Sequence, residues 1–387
     1  MKVAKRLNGI GEYYFSQKLR EIETLNRQGK AIINLGIGSP DLPPHPEVIK
    51  VLQEEAAKPH THAYQSYKGA PALREAFSEW YYRWYGIKPD PATEVLPLIG
   101  SKEGILHICM TYLNPGDEVL VPDPGYPTYQ SAVKLAGGQP VFYSLKEKNN
   151  YLPDLAKLEK RGLKKVKLMF VNYPHMPTGQ LPLPGLFSSL VRFAERHKIL
   201  LVHDNPYSFI LNDKPESLLA VPGAREHVLE LNSLSKSHNM AGWRVGVLCG
   251  SARRIEEVLR FKSNMDSGMF LPVQLAAAKA LTLGNDWHRE LNNIYRGRKE
   301  KAKSLLQILG CRFSNEQAGL FLWAGIPDGY PDGYALSDEI LHTAGVFITP
   351  GGIFGKAGKK YVRISLCAPE EKIEEAISRI NKALKKR

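Results

Sequence analysis

Residues 228–250 read VLELNSLSKSHNMAGWRVGVLCG. Two apolar runs, Val228–Leu231 and Val245–Cys249, read as short buried strands on either side of a polar loop. The loop carries Lys236, with Ser233 and Ser235 before it and Arg244 eight residues after it. A lysine held between two core strands loses part of its hydration. Its pKa falls, and a neutral amine becomes available for attack on a carbonyl. Ser233 and Arg244 supply a hydroxyl donor and a two-pronged cation, a pair suited to a phosphate.

A Schiff-base lysine beside a phosphate grip is what pyridoxal phosphate needs. The spacing Ser233-x-x-Lys236 also occurs in penicillin-binding enzymes, but their Ser-Asp-Asn and Lys-Thr-Gly signatures are missing from this chain. An incidental lysine on a surface loop is the other reading, and the loop alone leaves it open.

The chain has 387 residues, enough for a large core and two lobes. Its 43% hydrophobic and 24% charged residues are ordinary for a globular protein. No apolar run at the start suits a signal peptide, and none elsewhere suits a membrane span, so a cytoplasmic protein is expected. The net charge of +13 raises the question of nucleic acid. The basic residues are spread out, however, with only small clusters at Lys164–Lys167, Lys356–Lys360 and Lys382–Arg387. No nucleic-acid module accompanies them, and anionic substrates suit such a charge equally well. Cys109, Cys249, Cys311 and Cys367 form no Cys-x-x-Cys pair, and His60 and His62 have no third ligand nearby. Neither a disulfide nor a metal is expected.

The first 25 or so residues predict a helix-forming arm, followed by a short strand at Ile32–Gly38. Strand-like runs at Glu94–Ile99, Glu118–Val121, Gln139–Leu145, Lys167–Val171 and Ile199–Val202 alternate with helical spacing. Gly100-Ser101-Lys102 opens one helix, whose free N–H groups face an anion. The alternation predicts an α/β fold: a large domain with a mostly parallel, seven-stranded type of sheet flanked by helices. Ligands gather at the carboxyl ends of such strands, where Ser101, Tyr126, Thr178, Asp204 and Lys236 all fall. After Gly250, helices and the short strands Gly319–Ala324, Val346–Thr349 and Tyr361–Leu366 predict a smaller α+β domain. The expected division is 1–44 (arm and part of the small domain), 45–280 (large domain) and 281–387 (small domain).

Asp204 ends a strongly apolar strand, where a carboxylate without a partner is costly. Pairing with a protonated pyridine nitrogen would satisfy it; a helix cap or a buried ion pair would too. Tyr207 can donate to the cofactor's phenolic oxygen, and Tyr126 can stack on its ring.

With these residues in place, the chain resembles the class I/II aminotransferases, the pyridoxal-phosphate enzymes of the aspartate aminotransferase fold. The resemblance runs from Ile32 beyond Arg363. Its markers are Leu35-Gly-Ile-Gly-Ser-Pro-Asp41, Tyr64 with Gly69-Ala-Pro-Ala-Leu-Arg74, Gly100-Ser-Lys, Pro124-Gly-Tyr-Pro, Asn172-Tyr-Pro-His-Met-Pro-Thr-Gly179, Asp204-x-x-Tyr207, Ser233-x-x-Lys236 with Arg244, and Arg363. The resemblance implies that Lys236 carries the cofactor and moves the proton, that Asp204 meets the pyridine nitrogen, and that Tyr207 meets the phenolic oxygen. It implies a phosphate site of Gly100, Ser101, Lys102, Ser233 and Arg244, completed by Tyr64 from a second subunit of a homodimer. Arg363, helped by the backbone at Gly38, would grip the substrate α-carboxylate. The implied activity is amino transfer between an L-amino acid (aromatic, aspartate or alanine) and a 2-oxo acid such as 2-oxoglutarate, by a ping-pong mechanism. A carbon–sulfur β-lyase on the same scaffold is the alternative.

One position departs from the family. Met176 stands where asparagine usually precedes Pro-Thr-Gly and donates to the phenolic oxygen. A thioether cannot donate. A more basic Schiff base follows, unless Asn172 or His175 compensates.

Overall fold

The computed structural model describes residues 1–8, 10–12 and 14–385. Lys386 and Arg387, the end of the last basic cluster, lie outside the described residues.

Twelve strands are present among the described residues: β1 (Ile33–Asn34), β2 (Val95–Leu98), β3 (Glu118–Asp123), β4 (Gln139–Ser144), β5 (Val166–Val171), β6 (Leu200–Asp204), β7 (Val228–Ser233), β8 (Gly246–Cys249), β9 (Phe321–Gly325), β10 (Val346–Phe347), β11 (Thr349–Pro350) and β12 (Tyr361–Ser365). Seven of them form the central sheet in the order β2-β8-β7-β6-β5-β3-β4. Only β8 runs against its neighbours. The expected α/β architecture is therefore the one observed. Helices cover both faces of this sheet, so its inner strands must be apolar on both sides. Met169, Phe170, Leu201, Val202, Leu229 and Leu231 are accordingly buried to the last per cent.

Two polar side chains break that pattern, and both are paired. Glu230 of β7 accepts from Tyr81 Oη (3.0 Å), Ser217 Oγ (2.8 Å) and the Leu218 N–H (2.9 Å). His203 of β6 sets Nδ1 2.8 Å from the same carboxylate and Nε2 3.1 Å from the Tyr173 carbonyl. Buried charge is tolerated here because each lone pair has a donor.

The remaining strands form smaller sheets, β11-β12-β9 and β1-β10. The single strand expected at Val346–Thr349 is thus two. β10 pairs in parallel with β1, whereas β11 pairs antiparallel with β12. The chain changes partners at the fully buried Ile348. Through β1 the N-terminal segment joins the core of the C-terminal third, where Ile33 and Leu35 pack in one cluster with Leu322, Ile364 and Ile373.

The N-terminal arm differs from expectation. Among the described residues its α-helix spans Tyr14–Arg27, with one short turn before it at Lys5–Leu7. Asn8 and Gly11 are poor helix formers, which disfavours an earlier start. No helix among the described residues is long and apolar enough to cross a membrane.

Register places the functional ends. Asp204 lies opposite Leu231, and Ser233 lies opposite Gly246. The last residues of β6 and β7 therefore open on the same rim.

Removing the Glu230 carboxylate should leave buried donors on four partners. Glu230→Ala is expected to destabilise the fold by about 3 kcal/mol or more, and Glu230→Gln by less. Urea unfolding midpoints of the two variants check this, and unchanged midpoints would contradict it.

Candidate active site

On that rim lies a cavity of about 670 Å³. Lys236 enters it from a four-residue helical turn, Leu234–Ser237, that follows β7. Ser233 caps this turn by accepting the Ser235 N–H at 3.2 Å, and its hydroxyl also lies 2.9 Å from Ser235 Oγ. Lys236 Nζ donates to the Gly38 carbonyl at 2.5 Å. Burial holds its pKa below the usual lysine value; Cys367 opposes this, and the charges of Arg363 and Arg244 add to it. Gly38 thus meets Lys236 through its carbonyl, a contact that the sequence reading had not placed.

The phosphate-type corner forms where the helix Ser101–Tyr112 begins. Gly100 holds φ at 80°, and a Cβ there would overlap the Arg244 guanidinium. Gly246 packs as closely, since its Cβ would sit 2.6 Å from the Ser101 nitrogen. Two glycines therefore let Arg244 and the helix N-terminus converge on one point. Arg244 itself has φ 57°, left-handed for a residue with a side chain. Strain of that kind persists where surrounding structure imposes it, often at functional sites. Ser101, Lys102, Ser233, Ser235 and Arg244 all line the cavity.

Asp204 lies across from Lys236. Its Oδ2 accepts from Tyr129 Oη at 2.7 Å, and its backbone carbonyl accepts from Asn172 Nδ2 at 2.5 Å. Oδ1 is buried and has no hydrogen-bond partner among the described residues. Burial pushes its pKa up to about 6, against the Tyr129 hydrogen bond and the nearby His203. Tyr207 and Tyr126 also line the cavity, and burial raises both phenols.

Arg363 enters the cavity from β12. Its Nη2 donates to the Gly36 carbonyl at 2.8 Å, and Nη1 lies 3.5 Å from Met176 Sδ. The guanidinium lies over Phe321 at 3.7 Å from the ring centre and over Phe354 at 4.6 Å. A planar cation stacked on aromatic faces keeps its orientation.

Some expected residues do not meet in this cavity. Tyr64 is 92% exposed and lines no part of it. Thr178 is buried against His175, whose Nδ1 is 2.8 Å from its hydroxyl. Asn172 does line the cavity, but it is engaged at both ends of its amide, by the Asp204 carbonyl and by the Met176 N–H at 2.7 Å. His175 lies outside the cavity lining, and its Nε2 is buried with no hydrogen-bond partner among the described residues. Sequence reasoning missed Tyr129, the support of Asp204. It lies three residues after Tyr126 in a Pro-rich turn, a spacing that places it one helical step inward. Phe321 and Phe354 were also missed, because a lone phenylalanine gives no signal beyond core packing.

Asp204 ties stability to pH in the cofactor-free protein. An unfolded aspartate releases its proton near 3.8, whereas the folded one keeps it up to about 6. Between those values the folded state holds the extra proton, so stability falls as pH rises through the window. The two-unit gap corresponds to about 3 kcal/mol. Asp204→Asn should flatten this slope and raise the cofactor-free melting temperature at pH 7. Thermal scans from pH 4 to 8 on both proteins would check this; parallel curves would contradict it.

Comparison with known proteins agrees with this geometry. The family described as Aminotransferase class I and II matches residues 30–380. An LL-diaminopimelate aminotransferase of Moorella thermoacetica is 41% identical, covering 100% of this chain and 99% of its own. Substrate-bound BacF of Bacillus subtilis superposes with a TM-score of 0.94 at 36% identity, covering 99% of this chain and 98% of its own. The aromatic aminotransferase of Pyrococcus horikoshii gives 0.87 at 31% identity, over 92% and 96%. The chain belongs to the class I and II aminotransferase family, and is a pyridoxal-phosphate-dependent transaminase acting on amino and 2-oxo acids.

Proposed function

We propose that Lys236 is the residue to which the cofactor attaches and that the 670 Å³ cavity is where amino transfer occurs. The observation that carries this reading is the arrangement of Lys236, the unpartnered Asp204 Oδ1 and Arg363 around one buried space. The residues present suit pyridoxal phosphate. Asp204 Oδ1 is a buried acceptor in need of a cationic donor, such as a pyridinium N–H. The Gly100–Gly246 cradle and Arg244 suit a phosphate. When bound, pyridoxal phosphate supplies an electron sink that acidifies the donor's α-carbon and carries its amino group between the two halves of the reaction.

The chain's own groups do the rest. Asp204 holds the pyridine nitrogen protonated, and Tyr129 keeps that carboxylate aimed. Tyr207 donates to the phenolic oxygen, and Tyr126 covers the ring. Ser101, Lys102, Ser233 and Arg244 hold the phosphate, with Tyr64 of the partner subunit completing the set in a homodimer. An exposed tyrosine flanked by a glycine turn suits that insertion. Arg363 receives the α-carboxylate on its fork, already oriented by Phe321, Phe354 and the Gly36 carbonyl. Lys236 Nζ, kept short of full basicity by burial, takes the α-proton and returns it on the far side of the transfer. Glutamate and 2-oxoglutarate are the shared pair. Residues 45–280 form the cofactor domain, and 1–44 with 281–387 form a smaller one that carries Arg363. A cytoplasmic setting belongs to the same proposal, in keeping with four free cysteines.

Absorbance titration with single L-amino acids tests this reading. Conversion of the bound cofactor's band to the shorter-wavelength pyridoxamine band is the expected result. Lys236→Ala should retain the cofactor weakly and lose turnover by about 10⁴-fold. A variant that still turned over at the wild-type rate would overturn the role of Lys236.

Met176 leaves Tyr207 as the side-chain donor assigned to the phenolic oxygen. Met176→Asn adds a second one and lowers that oxygen's proton affinity. The pH midpoint of the bound cofactor's absorbance change should therefore move to lower pH in Met176→Asn. An unchanged midpoint would contradict this.

A further inference from the structure

The Moorella thermoacetica relative acts, by its name, on LL-diaminopimelate, whose far end carries an ammonium and a carboxylate. In this cavity every charge already has a task under the functional reading on which the following rests. Among the described lining residues the basic groups are Lys102, Lys236, Arg244 and Arg363, and the one acid is Asp204. Lys102 and Arg244 belong to the phosphate, Lys236 to the cofactor, Arg363 to the α-carboxylate and Asp204 to the pyridine nitrogen. No acid of this chain's cavity remains for a distal ammonium.

The wall beyond Arg363 is apolar instead. The N-terminal helix brings Phe15 to 5.7 Å from the Arg363 guanidinium, measured at the ring centre. Leu19 follows one turn later on the same face of that helix. Ile37 and Phe354 also line the cavity, and the polar residues beside them, Ser16 and Ser39, carry no charge. The cations flanking Leu19 are already paired: Arg20 with both oxygens of Glu12, and Lys18 with Glu21 and Asp338. The segment that a second subunit would insert does not change the balance. Residues 56–74, which contain Tyr64, include no aspartate or glutamate.

We infer that the specific amino donor is an L-amino acid with an uncharged, apolar side chain, aromatic or thioether, and that Phe15 and Leu19 of the N-terminal helix select it. A side chain of that kind replaces water on Phe15, Leu19, Ile37 and Phe354 and leaves no charge unpaired. A distal ammonium placed there would lose its hydration without gaining a carboxylate. Sites that leave a charge or a hydrogen-bonding group without a partner discriminate strongly, whereas apolar contacts alone discriminate modestly. The selectivity therefore comes mainly from exclusion of the charged end.

The test uses the holoenzyme and four donors: L-phenylalanine, L-methionine, LL-diaminopimelate and L-aspartate. Single-turnover conversion of the cofactor band should favour the better apolar donor over diaminopimelate by about a hundredfold. Two unreactive carboxylates supply a binding readout. 3-Phenylpropionate should bind about tenfold more tightly than pimelate, which has a second carboxylate at its far end. Leu19→Asp places a carboxylate at the half-exposed mouth, where folding tolerates it. It should lower the phenylalanine-to-diaminopimelate ratio by about tenfold. Diaminopimelate or aspartate as the fastest donor, or an unmoved ratio in Leu19→Asp, would overturn the inference while leaving the transaminase reading intact. Conversion by L-glutamate but by none of the four donors would overturn this inference alone, and conversion by none of the five would overturn the assignment of the reaction to this cavity as well.

Discussion

A buried carboxylate with one oxygen satisfied and the other left open sets the terms for this structure. Asp204 sits at the end of an apolar strand in the middle of the sheet, where an unpaired charge is costly. Tyr129 and Asn172 secure one oxygen and the backbone around it. Behind the strand, His203 and Glu230 form a fully buried pair whose polar atoms are supplied by Tyr81, Ser217 and Leu218. The sheet thus carries considerable polar structure in its interior so that a single oxygen can face the cavity. Under the proposed function, a protonated pyridine nitrogen would be the partner that makes this arrangement favourable.

The same economy governs the corner proposed for the phosphate. Two glycines permit the close approach of Arg244 and a helix N-terminus, and a methyl group at either would push them apart. Arg363 is treated differently. Its guanidinium is stacked between phenylalanines and tied to a carbonyl, so it presents a fixed fork before any ligand arrives. Lys236 is the group that stays adjustable, at the end of a flexible stem and with its basicity reduced by burial. In the proposed reaction the stacked guanidinium would bind and orient, while the lysine amine would move the proton.

The apolar side of the cavity comes from the N-terminal helix and from β-structure of the C-terminal third, segments more than 300 residues apart in the chain. Phe15 reaches Arg363, and Met176 reaches the same guanidinium from the central sheet's side. Substrate choice therefore depends on how these separate pieces pack together. The reaction type depends on the strand ends of the central sheet.

That division explains what could be read in advance. The period of apolar residues and the glycine turns announced a mostly parallel sheet, and the ends of its strands carried Ser101, Asp204 and Lys236 in legible order. These are local signals, because a buried parallel strand must be apolar on both faces and must stop where its ligand begins. The later strands were harder. Val346–Thr349 reads as one strand, yet it serves two sheets, because partners distant in sequence supply its hydrogen bonds. Tyr129, Phe321 and Phe354 carry no motif of their own, and their parts in the site arise only from contacts. Met176 was visible as a departure, but only the packing showed that the Asn172 amide is engaged at both ends and that His175 lies outside the cavity lining. Composition and spacing were enough for the chemistry, since charges and turns leave local marks. The shape of the substrate's pocket belongs to tertiary structure, because apolar walls are built from residues that look alike wherever they fall in a sequence.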